Sequence, residues 1–227
     1  EENDGLALSF LPEEIDMPLT DVKTDMAPDP AGWPMEFFKK FWLCLKHLFY
    51  AIVNKFSLGT VDLSRLYYDT ISFIPKVKGA DNIKLFRPIT LINVPFKVCA
   101  KAYATRLAPI AKRVISKSQT TFLKGRNILE GPIVLLEIVH ELKRTKGKGV
   151  LFKLDFEKAF DLVEHDLIFS MMEKLGFDNK WIQWVRLLLA SGHSSVLQNS
   201  IPGNSFQCKR GVRHGDPVSP LLFVLMV

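Results

Sequence analysis

Val150-Leu151-Phe152-Lys153-Leu154-Asp155-Phe156-Glu157-Lys158-Ala159-Phe160-Asp161 is the stretch on which the fold turns. Apolar residues lead to one acid, Asp155, and Gly147 and Gly149 punctuate the start, as for a short buried strand. A carboxylate at the end of such a strand must be paired, capped or metal-bound, because a bare buried charge is too costly. Taken locally, the cheapest of these readings makes Asp155 the cap of the next helix. The rest of the chain has to decide between cap and metal ligand.

Downstream, apolar spacing predicts a helix over 165–175 stopped by Gly176, and another from Asp178. Residues 194–209 alternate like a hairpin around Ile201-Pro202-Gly203-Asn204, and Arg210–Pro217 is a loop feeding a helix near Ser219-Pro220. Upstream, a helix over 131–145 is expected to turn Val134, Leu135, Ile138, Val139 and Leu142 inward. Residues 70–76 and 87–91 read as two strands of a hairpin, with Pro75 ending the first and Lys-Gly-Ala-Asp-Asn at 78–82 as the turn. A helix over about 95–115 follows. Pro34 opens a long apolar-faced helix over 34–56, and residues 1–33 read as an acidic loop. The order of elements is an α+β pattern.

The chain has 227 residues, 48 % of them hydrophobic and 17 of them Phe, enough for a substantial core. Its net charge of +6 is unevenly spread: residues 1–30 hold nine acids against Lys23. Residues 76–126 hold twelve Lys or Arg against Asp81 alone. So one-sided a stripe costs self-repulsion and points to a polyanionic partner, most simply nucleic acid, against the plainer reading of a solvated basic face. Cys44, Cys99 and Cys208 are far apart and odd in number, which suggests neither a zinc site nor a disulfide framework. No signal peptide or membrane-spanning run is visible, so an intracellular location, nucleus or cytoplasm, is expected. The absent initiator Met and the apolar last residues suggest a fragment.

Five stretches together resemble the reverse transcriptase of a non-LTR (LINE-type) retrotransposon, with a plant-like flavour. Residues 150–161 resemble the family's first catalytic motif. Arg210–Pro220 (RGVRHGDPVSP) resembles its R-G-x-x-Q-G-D-P-x-S-P motif, and 71–107 its fingers region throughout. Pro34–Trp42 (PMEFFKKFW) and Gln119–Asn127 (QTTFLKGRN) match as well, so the likeness runs from about residue 25 to the end.

The resemblance implies a right-hand polymerase fold: fingers over 34–145, and a partial palm over 146–227 without the thumb. It implies RNA-directed DNA polymerase activity on an RNA template and a DNA primer, with deoxynucleoside triphosphates and two Mg²⁺ ions. Asp155 and the Phe156 backbone carbonyl would be metal ligands, with Asp155 the catalytic carboxylate. Lys76, Arg87, Phe160, His214 and Gly215 would bind the nucleotide, with Phe160 as the steric gate against a 2′-hydroxyl. Lys97, Lys101, Arg106, Lys124, Arg126 and Arg210 would follow the nucleic-acid backbone. Asp216 is read as a helix cap, not a ligand.

Three departures stand out. His214 occupies the family's Gln position, Ala27–Trp33 (APDPAGW) alters the family's Ala-Pro-Gly-Pro-Asp-Gly turn, and no Tyr/Phe-x-Asp-Asp pair follows Arg210–Pro220. One carboxylate cannot hold two Mg²⁺, so residues 1–227 alone are expected to lack polymerase activity. The apolar run at 220–227 and an incomplete sheet lead to an expectation of aggregation or partial folding. The alternatives are a decayed remnant that binds nucleic acid without chemistry, and a group II intron-type maturase.

Overall fold

The computed structural model describes residues 5–21, 28–60, 68–190 and 192–226. The first half runs α1 (Pro12–Asp21), α2 (Met35–Lys40), α3 (Trp42–Ser57), β1 (Tyr68–Pro75), β2 (Phe86–Ile92), α4 (Val94–Val114) and α5 (Glu130–Arg144). The second half runs α6 (Ala159–Leu162), α7 (His165–Lys174), α8 (Asn179–Ala190), β3 (His193–Gln198), β4 (Ile201–Pro202), β5 (Phe206–Gln207) and α9 (Ser219–Val224). This is a mixed fold of helices around one sheet.

The hairpin expected from Pro75 and the 78–82 turn is present, with β1 and β2 antiparallel from Asp69↔Ile92 to Pro75↔Phe86. Lys76 and Lys84 lie at its tip. The other edge of β1 pairs in parallel with β3, from Tyr68↔His193 to Ile71↔Val196. β3 in turn carries β4 and β5 antiparallel. The parallel pair brings β1 beside residues more than a hundred positions later, and with them the 210–217 loop.

The core is organised on α4. Asn93 starts this helix, its Oδ1 accepting the Phe96 amide at 3.1 Å, and Pro95 sits in the first turn where no amide is needed. Ala100, Ala102, Tyr103, Leu107 and Ala111 are fully buried. The small residues let α1, α3 and α9 approach the helix closely. Around Tyr103 gather Phe10 (ring centroids 4.8 Å apart), Phe56 (5.3 Å), Trp181 (5.3 Å) and Trp184 (5.6 Å). Burial pushes the Tyr103 hydroxyl far above its ordinary pKa and the Cys99 thiol up to about 12, so both stay neutral.

Several expectations are overturned. The acidic lead segment over 1–33 is not all loop, since α1 forms within it. Arg106 explains why the segment is ordered. Its guanidinium lies 3.8 Å from the Phe10 ring centroid and grips the Glu14 carboxylate with two 2.6 Å hydrogen bonds. It also donates to the Leu6, Leu8 and Ser9 carbonyls. Burial raises the Glu14 carboxyl, but the hydrogen bonds from Arg106 and the Leu11 amide outweigh it and hold it below the ordinary carboxylate range. Arg106→Leu is expected to release residues 6–14, at a cost of about 2 kcal/mol or more. Faster limited proteolysis near Leu8 would report it, and unchanged cleavage would refute it.

The helix expected over 34–56 is two helices, interrupted at Phe41, whose backbone leaves the helical region (φ −101°, ψ 15°). The hairpin turn lies at Asn199-Ser200, both at positive φ, and Ile201-Pro202 is strand. In α5 none of the apolar residues is fully buried, and Ile133, Val134, Leu136 and Ile138 are more than half exposed.

The largest correction concerns the opening stretch. Residues 150–156 form no strand, and Val150, Phe152 and Leu154 are 81 %, 80 % and 77 % exposed. A strand exists only when a neighbour takes up its amides and carbonyls. The sheet ends at β2 on one side and at β4 and β5 on the other, and none of its strands pairs with this segment.

Candidate functional site

The 210–217 loop is zipped to the turn after α6. The Gly211 amide donates to the Val163 carbonyl at 2.7 Å and the Val212 amide to the Phe160 carbonyl at 2.8 Å. Gly211 has φ +80°, and a Cβ there would stand 2.6 Å from the Asp161 carbonyl oxygen, so only glycine fits. On the other flank, the Thr90 amide of β2 donates to the His214 carbonyl at 3.3 Å.

Asp216 is buried and bonds the residues leading into α9, whose N-cap position is Val218 and carries no side-chain cap. Its Oδ1 accepts the Val218 amide at 3.3 Å and its Oδ2 accepts the Ser219 hydroxyl at 2.7 Å. The Ser219 oxygen in turn accepts the Arg213 amide at 3.1 Å. Burial pushes the Asp216 carboxyl above its ordinary value against those hydrogen bonds and the Arg213 charge.

The sequence reading missed what lies behind this loop. Arg213 Nε stands 2.8 Å from Asp69 Oδ2, with the two side chains 8 % and 1 % exposed. The N–H is not aligned as in a hydrogen bond, so this is an ion contact that pins the loop to the first turn of β1. Arg213 Nη1 also reaches the Leu188 carbonyl of α8 at 3.4 Å. Burial raises the Asp69 carboxyl to about 6, with a Ser194 hydrogen bond opposing, and pulls the Arg213 guanidinium down to about 10. No local pattern announces a pair so distant in sequence.

Between the hairpin and the loop is a cavity of about 790 Å³. Lys76, Lys84 and Arg87 line its hairpin side, and Glu157, Lys158, Asp161, His214 and Gly215 line the rest. Lys76 is steadied at both ends, its amide donating to the Leu85 carbonyl at 2.7 Å and its ammonium to the Lys84 carbonyl at 3.0 Å. Arg87 is exposed. The His214 ring stacks on Phe160 (5.3 Å, 28°), and its Nε2 lies 3.2 Å from Asp161 Oδ1. Phe160 also stacks with Phe223 (4.5 Å, 26°) and is not part of the cavity lining.

The residues expected on the nucleic-acid backbone divide. Arg106 is spent on the α1 segment, as described above. Arg126 donates to the Lys112, Ile115, Ser116 and Gln119 carbonyls at 2.5–3.1 Å, closing the C-terminal end of α4 where helical carbonyls lack partners. Arg106 and Arg126 thus make these hydrogen bonds within the protein. Lys97 is half-buried, and burial pulls its ammonium below its ordinary value with Asp29 opposing. Lys101 is also half-buried, while Lys124 and Arg210 are exposed. Arg210 lies 3.8 Å from an exposed Glu164, a contact of little energetic worth.

Asp155 and Phe156 are both exposed, and no described residue bonds the Asp155 carboxylate. Among the described residues no three His, Cys, Asp or Glu side chains gather closely enough to hold a metal. Mg²⁺ requires near-octahedral oxygen donors, and this donor set does not supply them. Among the described residues no helix is long and apolar enough to cross a membrane.

Comparison with known proteins bears on the whole arrangement. Residues 74–227, which take in the end of β1, β2 and the 210–217 loop, match the family described as Reverse transcriptase (RNA-dependent DNA polymerase). The chain is 28 % identical over 216 residues to the "Transposon TX1 uncharacterized 149 kDa protein" of Xenopus laevis, covering 95 % of this chain and 16 % of that protein. It is 27 % identical over 199 residues to the "Retrovirus-related Pol polyprotein from type-1 retrotransposable element R2" of Nasonia vitripennis, covering 87 % and 19 %. A third relative, from the type-2 element R2DM of Drosophila melanogaster, is 26 % identical over 155 residues, covering 68 % and 14 %. The chain thus spans less than a fifth of the length of these relatives. It belongs to the reverse transcriptase family, as a segment of a non-LTR (LINE-type) retrotransposon protein.

Proposed function

We propose that this chain is the nucleotide-receiving part of an RNA-directed DNA polymerase, with 34–145 as fingers and 146–227 as part of the palm of a right-hand fold. The observation that carries this reading is the cavity, cationic on the hairpin side at Lys76, Lys84 and Arg87 and bounded opposite by Gly215 and His214. A deoxynucleoside triphosphate fits such polarity: its phosphates draw to the lysines and to the paired donors of the arginine fork. Phe160 acts on the bound nucleotide through His214, which it backs. Lys101, Lys124 and Arg210 contribute to holding an RNA template and DNA primer, with Lys97 beside the loop.

In the complete protein two Mg²⁺ would supply the charge stabilisation that nucleotidyl transfer needs, with Asp155 and the Phe156 carbonyl as ligands that this chain would contribute. These ligands are too few for two ions, so the chemistry assigned to residues 1–227 stops at holding the nucleotide. A decayed remnant or a group II intron-type maturase is less well supported, because the relatives are retrotransposon proteins.

Calorimetric titration with dGTP tests the site. Arg87→Ala is expected to weaken binding about tenfold, the worth of a charge-assisted contact. Absence of saturable binding by the unaltered chain at millimolar dGTP would defeat the reading. Primer extension on an RNA template is expected from the longer protein and not from residues 1–227.

A further inference from the structure

Gly211 stands at φ +80°, where the chain passes from the Glu164–Arg210 bridge into the 210–217 loop. Glycine permits that turn but does not enforce it, because its backbone is freer to rotate than that of other residues. The peptide between Gly211 and Val212 therefore has to be held from outside. It begins the run that carries His214 and Gly215 to the cavity. Its N–H, on Val212, donates to the Phe160 carbonyl at 2.8 Å. Its carbonyl, on Gly211, lies 2.9 Å from His165 Nε2. A carbonyl only accepts, so Nε2 carries the hydrogen and donates it. The peptide is gripped on both edges.

The place of His165 in the fold suits this task. It opens the first turn of α7, and helical side chains lean toward the N-terminal end of their helix. The ring thus reaches back toward the chain that runs beside Glu164. It is half-buried and lies 6.5 Å from the ring of Phe169, which is buried in the core together with Ile168 and Met172. Its hydrogen bond is partly shielded from water, whereas the neighbouring Arg210–Glu164 contact is 3.8 Å long and joins exposed side chains. Arg213 ties the loop to β1 through Asp69, and His165 ties its start to α7.

We propose that His165 is a positioning residue of the nucleotide site: its Nε2–H sets the Gly211–Val212 peptide, and with it the His214–Gly215 wall of the cavity. The inference rests on the nucleotide reading of the cavity, which His165 does not itself line. The donor, not the bulk of the ring, carries the role. Losing it frees the peptide to turn about the glycine, which shifts the wall and leaves the core beneath it closed.

Two variants separate donor from bulk. His165→Phe keeps a ring but has no N–H, and His165→Gln supplies an amide N–H near the place of Nε2. Affinity for dGTP, read by calorimetric titration of the chain, is expected to fall about fivefold in His165→Phe, as for one lost hydrogen bond. In His165→Gln it should stay within about twofold of the unaltered chain. Hydrogen exchange should show protection lost at the Val212 amide in His165→Phe, restored in His165→Gln, and unchanged along α4 in both. A residue that only fills space would give the opposite order, with Phe tolerated better than Gln. If His165→Phe binds dGTP as well as the unaltered chain, or His165→Gln is no better than His165→Phe, the inference is overturned while the nucleotide site stands. If the unaltered chain binds no dGTP, the nucleotide reading fails and this inference with it.

Discussion

Asp69→Ala is expected to lower the unfolding free energy by about 3–5 kcal/mol, among the largest effects of any single polar substitution in the chain. The reason is the partner it strands. Arg213 is 8 % exposed, its guanidinium cannot shed its proton at neutral pH, and Asp69→Ala removes the carboxylate 2.8 Å from its Nε, leaving Asp216 and the Leu188 carbonyl among its partners. The pair is not thereby a strong source of stability. Burial pushes Asp69 up to about 6 against a Ser194 hydrogen bond, and Arg213 down to about 10 against the Asp216 charge, so desolvation dominates at both groups. Replacing both partners with apolar residues of similar volume, Asp69→Leu with Arg213→Met, should therefore recover most of the loss. A double variant no better than Asp69→Ala would contradict this account.

The same shift fixes a pH dependence. The Asp69 carboxyl titrates near 6 in the folded chain against 3.8 for its ordinary value, so between those limits the folded state holds the extra proton. Stability falls with rising pH wherever the folded state binds more protons. The contribution of Asp69 is thus most favourable below about pH 4 and is lost as pH rises through about 6. Urea titrations at several pH values check the sign: Asp69→Asn should remove this component, and an unchanged profile would exclude it.

Much of this frame was legible in the sequence, because its signals are local. Pro75, the 78–82 turn and Arg87-Pro88 specify the β1–β2 hairpin within about twenty residues. Apolar residues at a period of 3.6 specify α4. Gly176 at φ +80° ends α7 as expected, with the Phe177 amide bonding back to the Met172 carbonyl. What was not legible depends on partners far away in sequence. Residues 150–155 have strand composition, but a strand is a property of a pair, and no described strand pairs with them. Arg106 and Arg126 read as members of a basic stripe, yet both bond carbonyls of the protein itself, and Arg106 a carboxylate as well. Charge counting cannot separate a cation that faces solvent from one that closes a helix. In the site, the motifs identified His214 and Phe160 but not their stacking, which reverses which of them meets the cavity.

Gly211→Ala is expected to detach the 210–217 loop from the α6 turn. Two costs combine there. An L-residue at φ +80° costs about 1–2 kcal/mol by itself. The new methyl would also stand 2.6 Å from the Asp161 carbonyl oxygen, which is backbone and cannot rotate away as a side chain can. Relief requires separating the strands of this small zipper, and with it the bonds from the Gly211 amide to Val163 and from the Val212 amide to Phe160, each worth about 1 kcal/mol. Gly59 supplies the control, because it also has positive φ (+67°) but open space where a Cβ would go. Gly59→Ala should therefore show the backbone cost alone, and Gly211→Ala about 2 kcal/mol more. Hydrogen exchange gives the local readout: the Gly211→Ala chain should lose protection at the Val212 amide while α4 keeps its own. Since His214 and Gly215 ride on the same loop, dGTP affinity should fall at least tenfold in this variant and stay unchanged in Gly59→Ala. Equal stability losses for the two alanines would mean that the loop yields without strain, and that the close approach to Asp161 does not hold the nucleotide side of the cavity in place.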